Sequence, residues 1–107
     1  MVESDFIEIT QFNEIDAGGK LFIDINGKPI VIFKVGQELF AMDDVCTHDH
    51  GPIGEGELNE YQIVCPRHGA RFDIKSGKAL SGPAFVDIRT YKVRNMNGTI
   101  EINLLSA

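Results

Sequence analysis

Both cysteines and all three histidines of this 107-residue chain fall between Asp43 and Pro83. That stretch is rich in glycine and other loop formers, and it interrupts a chain that is strand-like nearly everywhere else. A loop-rich insert of that length is out of place in a small domain unless it is functional or has its own organising centre. A bound metal supplies one, because the free energy of metal ligation is also free energy of folding. The expectation is a β frame carrying an insert, about 43–83, ordered by metal.

The frame reads as short strands separated by turn signals. Leu21, Ile23 and Ile25 alternate with Phe22 and Asp24, and Asn26-Gly27 follows as a hairpin turn. Ile30-Val31-Ile32-Phe33 is an apolar, β-branched run of the kind buried on both faces. Leu39–Met42 and Tyr61–Val64 read as further strands, the second leading into Cys65. Val86 and Ile88 share one parity, Tyr91 and Val93 the other, which predicts a bulge near Arg89-Thr90. Asn97-Gly98 turns the chain, and Ile100, Ile102 and Leu104 alternate on a last strand. No segment keeps a helical period over three turns, so the fold class is all-β. Phe33, Phe40, Phe72 and Ile88 are read as core.

Charge narrows the partners. Ten basic residues against sixteen acidic ones give a net charge of −6. Such a chain repels phosphate backbones and anionic lipid, which argues against nucleic-acid and membrane partners. The N-terminal Met1-Val2-Glu3-Ser4-Asp5 lacks the basic start and apolar run of a secretion signal, so a cytoplasmic protein is expected. In that compartment two cysteines point to metal or redox chemistry before a disulfide.

The chemistry sits in two short elements, Cys46-Thr47-His48 and Cys65-Pro66-Arg67-His68, with sixteen residues between His48 and Cys65. Each offers one thiolate and one imidazole from a tight turn. Four such groups can make a structural zinc site, a disulfide with incidental histidines, or a 2Fe–2S cluster held by two cysteines and two histidines. Zinc fingers pair Cys with Cys and His with His at short range. Mixed elements suit a cluster of two irons, where each loop reaches both metals. The cluster is favoured on these grounds and zinc stays open. His50 competes as a ligand in the first loop; the Cys-x-His match favours His48.

The two elements resemble the two boxes of the Rieske family. Cys46-Thr47-His48-Asp49-His50-Gly51-Pro52-Ile53 is similar to the first box, and Cys65-Pro66-Arg67-His68-Gly69-Ala70-Arg71-Phe72-Asp73 to the second. The likeness continues through Gly54-Glu55-Gly56, Ser76-Gly77-Lys78, Gly82-Pro83-Ala84, Tyr91-Lys92-Val93 and Gly98-Thr99-Ile100, and is looser before Leu39. It implies a Rieske fold, an antiparallel β-sandwich base (about 1–42 and 84–107) with an inserted loop-rich cluster-binding subdomain (about 43–83). It implies Cys46, His48, Cys65 and His68 as ligands of a 2Fe–2S cluster.

Departures from the family pattern carry information as well. High-potential members join an extra cysteine from each box in a disulfide; the corresponding positions here are Gly51 and Arg67. Those members also direct a serine and a tyrosine hydroxyl at cluster and ligand sulfur, where this chain has Ala70 and Phe72. Hydrogen bonds to sulfur favour the reduced state, so their loss implies a potential at about the −150 mV end of the Rieske span. Pro83 matches a loop that covers the cluster, and Asp87 stands near a position where relatives often carry a second proline. Pro66 is read as fixing its turn, and Gly69 as allowing close backbone approach. Arg67 and Arg71 are read as partner contacts or as counter-charges to Asp49 and Asp73, against the plainer reading of surface ion pairs of small value. Glu55, Glu57 and Glu60 are read as a dock for a basic reductase or simply a solvated face.

The resemblance implies a ferredoxin that passes single electrons from a flavin-dependent reductase to a terminal, aromatic-ring-hydroxylating oxygenase. At 107 residues the chain lacks room for a mononuclear iron or flavin domain, so a carrier is expected and not an enzyme. The alternatives are the small Rieske-like subunit of an assimilatory nitrite reductase and a zinc-stabilised interaction module.

Overall fold

The computed structural model describes residues 6–16, 18–47, 49–82 and 86–105. Ten strands follow in chain order: β1 (Phe6–Gln11), β2 (Lys20–Ile25), β3 (Lys28–Val35), β4 (Glu38–Asp43), β5 (Glu57–Asn59), β6 (Gln62–Val64), β7 (Arg71–Asp73), β8 (Ala79–Ser81), β9 (Thr90–Met96) and β10 (Thr99–Asn103). Among the described residues the one helical element is a 3-10 turn at Phe12–Glu14. None is long and apolar enough to cross a membrane. The strands form a six-stranded sheet, ordered β1-β10-β9-β4-β3-β2, and a four-stranded sheet, β5-β6-β7-β8, with antiparallel pairing throughout.

The hairpin turns form where Asn-Gly predicts them. Asn26 and Gly27 have φ of 54° and 80°, Asn97 and Gly98 of 53° and 93°, so each pair sits in the left-handed region that a tight two-residue turn requires. Asp24 and Asn95 secure these turns by accepting the amides of Gly27 and Gly98 at 2.9 and 2.8 Å.

Strand β3 explains why an unbroken apolar run was needed. Its side chains alternate between two cores. Ile30 and Ile32 face one core with Phe12, Ile15, Ala41, Tyr91, Ile100 and Ile102. Val31 and Phe33 face the other with Met42, Cys46, Ile53, Ile63, Cys65, Phe72 and Ile88. The strand is therefore a wall between the core of the large sheet and the core that holds both cysteines. Lys34, on the same strand, is nearly buried; its ammonium donates to the carbonyls of Phe12 (3.1 Å) and Ile15 (2.6 Å) and lies 3.8 Å from the Phe12 ring centre. This pins the turn after β1 onto β3.

The insert is less of a loop than its composition suggested, since it contains the whole four-stranded sheet. Those strands are three residues each, too short to show a period, and only β6, within Tyr61–Val64, was legible in sequence. Several bonds hold this segment together and tie it to the rest of the chain. Asp44 Oδ1 accepts the amides of Ile53 and Gly54 at 2.9 and 2.7 Å. Lys20 Nζ donates to the Gly56 carbonyl at 2.6 Å. The Ile88 amide donates to Gly77 O at 2.7 Å. The parity change near Arg89-Thr90 marks the start of β9 and not a bulge within it: Val86 is 64% exposed while Ile88 is buried, and strand geometry begins at Thr90. The register shifts instead fall between Glu8 and Thr10 and between Arg71 and Phe72.

Candidate metal centre

Two six-residue loops carry the cysteines, and their backbones are alike. In 46–51 the Cys46 amide donates to Gly51 O (2.7 Å) and the His50 amide to Cys46 O (2.6 Å). In 65–70 the Cys65 amide donates to Ala70 O (2.7 Å) and the Gly69 amide to Cys65 O (3.0 Å). The fifth residue of each loop is left-handed, His50 at φ 65° and Gly69 at φ 76°. Gly69 thus serves its backbone conformation and not the close approach expected of it, since a Cβ there would meet nothing within 4 Å.

Both cysteines are buried and no disulfide joins them. One donor atom each from Cys46, Cys65 and Asp49 lies within 4.8 Å of the others. Two thiolates on one metal at about 2.3 Å each lie at most roughly 4.6 Å apart, and the separation of the two cysteines is of that order. His68 sits at the rim with its side chain 54% exposed, its Nδ1 3.6 Å from Asp49 Oδ2. His50 is exposed and sits on a left-handed backbone that is unusual for a residue other than glycine. His48 and Pro83 lie outside the described residues.

Asp49 is the residue whose place at the centre the motif alone did not reveal. Its carboxylate takes two bonds from Arg67, Nε to Oδ2 at 2.5 Å and Nη2 to Oδ1 at 2.9 Å, and one from the Gly51 amide at 3.0 Å. The Arg67 hydrogen bond, with the Gly51 amide, holds the Asp49 carboxyl well below the usual carboxylate range. The same bond holds Arg67 above the usual guanidinium range. The only hint in sequence was opposite charge in the two boxes. A Cβ on Gly51 would stand 2.7 Å from Arg67 Cζ, so the two positions compared above with the family's extra cysteines touch across the loops. Ala70 and Phe72 are fully buried and offer no side-chain donor. Asp87 does specific work: its Oδ1 accepts the Ala79 amide at 2.9 Å.

The Rieske [2Fe-2S] domain model matches residues 5–92. The chain belongs to the Rieske [2Fe-2S] domain family. Two relatives match it over most of their length. It is 34% identical over 100 residues to the ferredoxin component of the naphthalene 1,2-dioxygenase/salicylate 5-hydroxylase systems of Ralstonia sp, covering 94% of this chain and 96% of the relative. It is 39% identical over 95 residues to the 3-phenylpropionate/cinnamic acid dioxygenase ferredoxin subunit of Escherichia coli, covering 88% and 89%. Among solved structures it is similar to a complex of reduced oxygenase and oxidized ferredoxin in carbazole 1,9a-dioxygenase, with a TM-score of 0.86, 25% identity and 92% of each chain covered.

This Rieske chain is a ferredoxin, an electron-transfer component with a 2Fe–2S cluster as its cofactor. The all-β Rieske fold expected from the sequence is the fold found. The residues present fit the cluster: two buried thiols meet between matched loops, with an exposed imidazole at the edge.

Proposed function

We propose that Cys46, His48, Cys65 and His68 hold the cluster, the cysteines on one iron and the histidines on the other. The observation that carries this reading is the meeting of Cys46 and Cys65, buried, between two loops of one backbone design. The cluster supplies a one-electron redox couple. The chain's part is to bury the thiolate side behind β3 and leave the His68 edge open, where a docked partner can approach it. With two thiolates and two neutral imidazoles the oxidised centre is formally neutral, and adding an electron to it is easier than to a four-thiolate dianion. Without hydroxyl donors at Ala70 and Phe72, its midpoint lies at about the −150 mV end of the Rieske range.

The chain carries single electrons from a flavin-dependent ferredoxin reductase to a terminal oxygenase that hydroxylates aromatic rings, in the cytoplasm. The names of the relatives support the oxygenase system over a nitrite reductase subunit and over a zinc-stabilised module. Residues about 1–42 and 84–107 serve as the base and about 43–83 as the cluster-binding subdomain, a division supported by the separate four-stranded sheet. Reconstitution tests this: NADH-driven turnover of a ring-hydroxylating oxygenase with its flavin reductase should require this chain. Turnover that is unchanged when the chain is omitted would overturn the reading. Iron–sulfur absorption bands are expected in the visible spectrum, and a colourless, zinc-containing protein would point to the interaction module.

A further inference from the structure

Cys46 and Cys65 belong to separate loops, and something must keep those loops together. The most direct tie among the described side chains is the pair Asp49 and Arg67. Asp49 lies in 46–51 and Arg67 in 65–70. The guanidinium lies against Gly51, so close that a Cβ there would sit 2.7 Å from Cζ and 2.8 Å from Nη2. It then grips Asp49 at two points, while the Gly51 amide holds Asp49 Oδ1 from its own loop. Oδ2 also lies 3.6 Å from His68 Nδ1. Isolated surface ion pairs are worth little, but a two-point guanidinium–carboxylate pair with backbone support is the favourable exception.

We propose that Asp49 and Arg67 are positioning residues of the metal centre, forming a clasp across the two cysteine loops that slows loss of the cluster and fixes one charge of each sign beside it. The inference rests on the cluster reading above. Arginine suits the role because its planar fork both stacks on Gly51 and meets both carboxylate oxygens; lysine supplies charge alone.

The test uses the purified holoprotein with Arg67→Gln, Asp49→Asn, the double variant and Arg67→Lys. The first readout is the rate at which visible iron–sulfur bands bleach under an iron chelator; the second is the midpoint potential. Each neutralising single variant should bleach roughly tenfold faster, and the double variant no faster than the worse single, since both remove one clasp. The potentials should separate: lower for Arg67→Gln, which removes a cation beside a centre that gains negative charge, and higher for Asp49→Asn. Arg67→Lys should keep a near wild-type potential yet bleach fast. Bleaching within twofold of wild type in all four, additive effects in the double variant, or wild-type kinetics in Arg67→Lys would each overturn the clasp. A wild-type protein without iron–sulfur bands would sink the cluster reading and the clasp with it, whereas coloured wild type with unaffected variants sinks only the clasp.

Discussion

Cys46 and Cys65 occupy the same position in two loops of one backbone design: each cysteine amide donates to the carbonyl five residues on, and each cysteine carbonyl accepts the amide four residues on. The correspondence makes His50 the counterpart of Gly69, both with positive φ. A non-glycine residue there carries strain of about 1 kcal/mol. His50→Gly should therefore keep the cluster spectrum and raise the melting temperature slightly. Loss of the spectrum in that variant would make His50 a ligand. Gly69→Ala should destabilise by about 1 kcal/mol, measured by denaturant unfolding.

Among the glycines, Gly77 makes the closest approach of the insert to the segment that leads into β9. It has φ 78°, and a Cβ there would fall 1.9 Å from the Ile88 carbonyl oxygen. The Ile88 amide in turn donates to Gly77 O. Gly77→Ala combines backbone strain with overpacking and should cost about 3 kcal/mol or more. A urea midpoint close to wild type would show that the two segments separate without loss.

Tyr91 donates its hydroxyl to Asp43 at 2.5 Å, where β9 meets β4. Burial, reinforced by the Asp43 carboxylate, pushes the phenol above its ordinary range. The unfolded phenol ionises near about 10. The folded state holds this proton more tightly, so the contribution is complete below that value and is lost as pH rises through the folded pKa. Stability should fall above about pH 10, and Tyr91→Phe should flatten that part of the profile. The measurement is chemical denaturation across the alkaline range; an unchanged slope in the variant would refute it.

Lys34 is a different kind of buried polar group, satisfied by carbonyls and an aromatic face, with no carboxylate partner among the described residues. Lys34→Met keeps the bulk but leaves the Ile15 carbonyl without its ammonium donor and the Phe12 carbonyl with the Ile15 amide at 3.4 Å. The expected cost is about 1–3 kcal/mol, read from thermal or urea unfolding, with the cluster spectrum retained.

The redox prediction follows from two missing hydroxyls. A redox titration should give a midpoint at about the −150 mV end of the Rieske range, nearly constant with pH through neutrality. Ala70→Ser and Phe72→Tyr should each raise it, because a donor aimed at sulfur favours the reduced state. A wild-type midpoint well above zero would contradict the account.

The centre was legible in sequence because metal ligation is written in residue type and short spacing. Cys46-Thr47-His48 and Cys65-Pro66-Arg67-His68 name the proposed donors without reference to anything distant, and of these the structure brings Cys46 and Cys65 together. The hairpins at Asn26-Gly27 and Asn97-Gly98 were legible for a similar reason, since a two-residue turn is a local conformational demand. The apolar run Ile30–Phe33 announced a strand buried on both faces. Sequence could not say that the run divides two cores, because that depends on what packs on each side. Strands β5, β7 and β8 went unread because three residues carry no period. The ion pair of Asp49 with Arg67, eighteen residues apart, and the contact of that guanidinium with Gly51 were decided only by the tertiary structure. Two loops distant along the chain come together there because the strands between them pair and bury a shared core, and pairing over such distances is a property of the folded whole.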